Sequence, residues 1–170
     1  MELWDEYDAK GVLTGQTLVR GEPIPEGRYH LVSEILVRHI DGDYLLMRRD
    51  PRKRNYGGWW EATAGGSALK GEDAYGCARR ELLEETGITR GVLTPIGRFL
   101  SHDTIYENYL CVTDAEKTGI TLQKGETVNF RWISEAAFIA FANSEEMIDV
   151  QKLRYQNYFE KIGYIKRHTA

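Results

Sequence analysis

The stretch Gly66 to Ile88, GSALKGEDAYGCARRELLEETGI, limits the folds open to this chain more than any other segment. Acidic Glu72 and Asp73 stand where a helix start favours negative charge, and Gly87 stands where a helix end favours a left-handed cap, so Asp73 to Thr86 is expected to be helical. At about 100° per residue, Glu81, Glu84 and Glu85 then share one arc of roughly that width. Ala74 and Cys77 occupy the same arc in the preceding turns and leave room beside the acids, while Ala78, Leu82 and Tyr75 form a neighbouring arc suited to packing inward.

Gathering three acids in a last turn is locally unfavourable. Like charges at i,i+4 cost about 0.2 to 0.5 kcal/mol, and the acids oppose the helix macrodipole. A hard divalent cation offsets this, and carboxylate oxygens suit Mg²⁺ or Mn²⁺. The alternative is a solvated acidic face on which Arg80 pairs with Glu84 one turn on.

At 170 residues the chain fits one domain with a single core. The 42% apolar and 28% charged composition argues against a mostly disordered chain. Apolar runs are short, and the opening MELWDEYDAK is acidic where a signal peptide would be basic, so no membrane association is expected. Cys77 and Cys111 fit neither a disulfide framework nor a CxxC metal site, which suggests a reducing cytoplasm. The net charge of −4 argues against a nucleic-acid polymer as partner.

In chain order, Glu2 to Arg20 reads as a hairpin turning at Asp8-Ala9-Lys10-Gly11, followed by a Pro- and Gly-bearing connector. Tyr29 to Ile40 and Tyr44 to Met47 form a second hairpin across Asp41-Gly42-Asp43. A loop from Asp50 to Gly58 precedes one short strand, Trp59 to Ala64. Thr89 to Leu100, Ile105 to Val112 and Asn129 to Ile133 read as further strands, and Ser134 as the N-cap of a helix through Phe141. Apolar residues at helical spacing from Glu145 to about Ile165 suggest a closing helix. The cations Arg48, Arg49, Arg52, Lys53 and Arg54 are either a solubilising surface or a phosphate clamp, with Arg49 and Lys53 the first choices for the clamp. His30, His39, His102 and His168 show no ligand spacing.

Gly66, five residues, Glu72, seven residues, Arg80-Glu81, an aliphatic residue, any residue, Glu84-Glu85, any residue, Gly87 and an aliphatic residue reproduce the complete Nudix box. The chain thus resembles the Nudix hydrolase superfamily. That resemblance implies an α/β/α sandwich around a mixed central sheet, here with an N-terminal β-hairpin extension. One domain would span residues 1–170, with hairpin and connector in 1–27, the box in 66–88 and closing helices in 134–165. It also implies divalent-metal-dependent hydrolysis of a small diphosphate-containing substrate. Glu81, Glu84 and Glu85, with the Gly65 carbonyl, would be metal ligands, Arg80 would orient a box glutamate, and Gly66, Glu72 and Gly87 would shape the loop and helix end. Glu84, Glu85 and Glu126 are all candidates for the general base, with Glu84 slightly favoured.

The segments WDEYDAKGVLTGQ, RGEPIPEGRYHLVSEILV and LLMRRDPRKRNYGGWWEATAGG resemble the isopentenyl-diphosphate-isomerase-like branch. Isomerases of that branch carry a catalytic cysteine and a metal-binding histidine just before the box helix, where this chain has Gly65 and Ser67. Hydrolysis is therefore expected ahead of isomerisation, and ahead of a non-catalytic ligand-binding role, since no box carboxylate is lost. The N-terminal hairpin could pack across a homodimer.

Overall fold

The computed structural model describes residues 1–167; His168 and the two residues after it lie outside the described part. Nine strands and three helices are defined among the described residues. The N-terminal hairpin pairs β1 (Leu3–Tyr7) with β2 (Leu13–Val19) through the expected turn, where Asp8 Oδ1 accepts from the backbone N–H groups of Lys10 and Val12. It docks on its own chain: Trp4 stacks on His30 at 4.4 Å, and Tyr7 exchanges backbone hydrogen bonds with Tyr29.

The main sheet is built on β3 (His30–His39), which runs parallel to β8 (Thr104–Thr113) and antiparallel to β4 (Tyr44–Arg49). Beyond β8 lies β7 (Val92–Leu100), and beyond β4 lie β5 (Trp60–Glu61) and β9 (Thr127–Ile133). The β3–β4 pairing is confined to Arg38 and Tyr44. Nearer the start of β3, its edge pairs instead with β6 (Ala64–Ser67), Val32 opposite Ser67 and Ile35 opposite Ala64.

The single strand expected over Trp59 to Ala64 is thus two strands with different partners. Between them Thr63 Oγ1 donates to Leu45 O at 2.7 Å and accepts from Val37 N–H at 3.0 Å, tying the crossing segment to both β3 and β4. Local sequence showed a run of strand formers. It could not show that the run changes partner halfway.

The apolar runs of β3 and β4 reflect burial on both faces. Ile35, Val37, Leu45 and Met47 face one core with Ala78 and Leu82 of α1 (Ala74–Thr86). Leu36, Tyr44 and Leu46 face the other, against Phe138 and Phe141 of α2 (Glu135–Ala142) and Tyr155 and Phe159 of α3 (Asp149–Lys161). This gives the expected α/β/α sandwich. The closing helix is shorter than expected: Met147 and Ile148 are buried ahead of it, while Val150 and Leu153 are exposed. Tyr75, expected to face inward, is also exposed and meets the edge of Tyr109. Among the described residues, no helix is long and apolar enough to cross a membrane.

Candidate active site

Helix α1 has the expected ends. Asp73 caps its start by accepting from Gly76 N–H at 2.7 Å, and Gly87 takes the left-handed conformation at φ 75°, its N–H reaching Leu83 O. Ala78 and Leu82 anchor the inner face in the core, which turns Glu81 and Glu85 toward β6. Both carboxylate-bearing residues are buried, whereas the Glu84 side chain is 43% exposed.

Two glycines make room for this approach. A β-carbon on Gly66 would collide with the Glu81 carboxylate, and one on Gly65 would lie 2.7 Å from Ser33 O. The bare backbone of β6 therefore lies directly against the acids. Gly65 N–H donates to Glu85 Oε2 at 3.3 Å.

Arg80 ties the cluster together. Its Nε donates to Glu72 Oε1 at 3.0 Å, Nη2 to Glu72 Oε2 at 2.8 Å and to Ser67 O at 3.0 Å, and Nη1 to Glu81 Oε1 at 2.6 Å. The link to Glu84 Oε2, the partner suggested by helical spacing alone, is longer at 3.3 Å. Glu72 also accepts from Leu69 N–H at 3.0 Å. Burial works against Glu72's charge, but the bonds from Arg80 and Leu69 outweigh it and hold the carboxyl below its ordinary value.

The other box acids are shifted upward. Burial pushes Glu81 up despite Arg80. Burial raises Glu85 well above the usual carboxylate range, and the nearby charges of Glu61 and Glu81 add to the effect. Glu61 on β5 is raised by burial even though Arg49 Nη1 donates to its Oε2 at 2.8 Å. Sequence reading missed Glu61. Its one signal was an acid between apolar residues at the end of a short strand.

The expected residues converge unequally. Gly65, Gly66, Arg80, Glu81, Glu84, Glu85, Lys53 and Glu126 line one cleft of about 290 Å³. Lys53 pairs with Glu126 across its rim, and burial lowers the Lys53 pKa. Arg49 faces an adjoining lobe that shares Gly65, Gly66 and Ser67 with the first. Glu72 and Gly87 support the frame, while Arg52 is held by Asp50. Glu2 and Arg20 of the hairpin, which sequence did not single out, reach the rim of the first cleft.

Among the described residues, no three acidic, histidine or cysteine side chains already form a closed cation cage. Arg80 draws Glu81 and Glu84 toward itself while Glu85 turns to Gly65. The donor chemistry nevertheless fits a hard divalent cation: burial raises Glu81 and Glu85, and neighbouring carboxylates add to the effect, beside an accessible backbone strand.

This chain belongs to the Nudix family: the NUDIX domain profile matches residues 28–151. Its relatives include an uncharacterized Nudix hydrolase of Listeria monocytogenes, 33% identical over 150 residues that cover 87% of this chain and 89% of the relative. Another, from Pseudomonas aeruginosa, is 36% identical over 124 residues, covering 72% and 70%. A Deinococcus radiodurans crystal structure shares the fold at TM-score 0.72 and 18% identity, over 92% of this chain and 99% of that one. The NUDIX domain of Shewanella oneidensis NrtR, solved with ADP ribose, matches at TM-score 0.59 and 16% identity, over 79% and 88%. The protein is a Nudix pyrophosphohydrolase, an enzyme acting on phosphorus-containing anhydrides. Such hydrolases generally use divalent metals such as Mg²⁺.

Proposed function

We propose that this cleft hydrolyses a diphosphate bond in a nucleoside diphosphate linked to another moiety, or in a similar small diphosphate compound, with Mg²⁺ or Mn²⁺ as cofactor. The observation that carries the reading is the gathering of Glu81, Glu84, Glu85 and Lys53 around the uncovered Gly65–Gly66 backbone. Glu81, Glu84, Glu85 and the Gly65 carbonyl would hold the metal. When bound, it supplies charge neutralisation at the phosphate oxygens and lowers the pKa of a coordinated water.

The chain's own groups then divide the work. Lys53 and Arg49, which line the first and the second lobe beside β6, bind the diphosphate and orient it. Arg80 keeps Glu81 pointed at the cleft, and Glu72 keeps Arg80 in place. Glu84 is the favoured proton acceptor because its carboxylate is the most solvent-accessible of the three, with Glu85 and Glu126 as the other candidates.

A Mg²⁺-dependent phosphate- and nucleotide-release screen tests this. The panel should hold nucleoside triphosphates, nucleotide sugars, dinucleotides, ADP-ribose and isopentenyl diphosphate. Release from at least one substrate, abolished by chelation, is expected. Isomerised isopentenyl diphosphate with no phosphate loss would replace the proposal by the isomerase reading.

A further inference from the structure

The lobe beside the acid-rich cleft has a chemistry of its own. It encloses about 290 Å³, near the lower end of ligand pockets and on the scale of one small ring. Glu34 of β3 lines it with a side chain only 9% exposed. Glu34 Oε1 accepts from Arg154 Nη1 of α3 at 2.5 Å, but its Oε2 is buried without a partner among the described residues. The Arg154 guanidinium lies 3.8 Å over the Tyr106 ring and donates to the Tyr106 hydroxyl at 3.0 Å. The Arg49–Glu61 pair lines the same lobe.

We propose that the Glu34–Arg154 pair is the specificity determinant of this site and admits a hydroxyl-bearing sugar, not an alkyl chain, next to the diphosphate. The inference rests on the hydrolase reading in one respect, that the diphosphate lies over Gly65 to Ser67.

The lobe holds two acceptors, Glu34 and Glu61, each paired with a donor, Arg154 and Arg49. A sugar hydroxyl both donates and accepts, so it complements such a lining. An alkyl chain would strip water from two ion pairs, so binding would be penalised at each polar group covered. An aromatic base finds the Tyr106 face already occupied by Arg154. Ile148 and Val150 complete the wall and suit the C–H face of a sugar ring.

The test compares ADP-ribose, which carries a ribose on both sides of its diphosphate, with geranyl diphosphate. Binding is read by calorimetry with Ca²⁺ in place of Mg²⁺, in the wild type and in the paired variant Glu34→Leu with Arg154→Leu. Replacing both partners avoids a lone buried charge, a change proteins commonly tolerate. The wild type is expected to bind ADP-ribose at least tenfold more tightly, and the paired variant to shift that ratio at least tenfold toward geranyl diphosphate. A second variant, the near-isosteric Glu34→Gln, should weaken ADP-ribose binding severalfold and leave geranyl diphosphate unchanged. Equal ratios in wild type and both variants, or a wild type that prefers geranyl diphosphate, would overturn the assignment. The expected binding ratios without turnover of any diphosphate would sustain it while removing the hydrolase reading.

Discussion

The two lobes that meet at β6 both contain buried carboxylates, yet they balance charge differently. In the cleft beside α1, Glu2, Glu81, Glu84, Glu85 and Glu126 face Arg20, Lys53 and Arg80. In the lobe beside α3, Glu34 and Glu61 are each matched by an arginine. An excess of acid in a partly dehydrated place needs positive charge from outside, whereas matched pairs present fixed donors and acceptors to a polar ligand. If the proposed roles hold, counting charges within each lobe separates the place of chemistry from the place of substrate recognition.

The strongest way to break this contrast is to neutralise one acid in the unbalanced cleft. Glu85→Gln should lower Mg²⁺-dependent turnover by about 100-fold or more, the scale on which positioned acid–base and metal-holding groups act. Near-wild-type turnover in a steady-state assay would remove Glu85 from the machinery. A smaller effect is expected from Arg49→Ala with Lys53→Ala. KM should rise on the order of tenfold or more, with less change in kcat, if these cations bind the diphosphate in ground state and transition state alike as proposed. An unchanged KM would return the basic loop to a solubilising role.

The smallest effect concerns stability. Glu85 has its folded-state pKa raised, so between its ordinary value near 4.5 and that raised value the folded protein holds more protons than the unfolded one. Stability of the metal-free protein should therefore fall as pH rises above about 4.5. Asp50 does not interfere in this window, because Arg52 pulls its pKa down to about 2 and its contribution is lost only at lower pH. Thermal melts in chelator from pH 5 to 8 should show the decline. Added Mg²⁺ or Glu85→Gln should make it shallower, Glu61 and Glu81 keeping their own burial-raised pKa in the variant; a flat profile in chelator would show that burial does not raise these carboxyls.

Much of the acid-rich cleft was legible in the sequence, because it is written locally. Asp73, the three glutamates and Gly87 belong to one helix whose period fixes their relative directions. The lobe beside α3 was not legible. Glu34 and Arg154 are 120 residues apart, and only the packing of α3 on the sheet brings them to 2.5 Å. The signal available was an acid within the apolar strand sequence LVSEILV, where burial without a partner would be costly. In the same way, the partner change between β5 and β6 depends on Thr63 bonding to both β3 and β4, which no local propensity encodes. The N-terminal hairpin was read correctly as a unit, but its placement at the cleft rim came from docking on β3.

With the diphosphate lying over β6 as proposed, this glycine-bearing strand would act as a gauge. It has four residues, about 13 Å of extended chain, and its uncovered part is the shared floor of both lobes. A compound whose recognised group and scissile bond lie within that length can engage both at once. One with a longer spacer must give up one contact or be cut at a different bond. Cleavage position in a series of diphosphates with graded spacers would thus report the length of a strand.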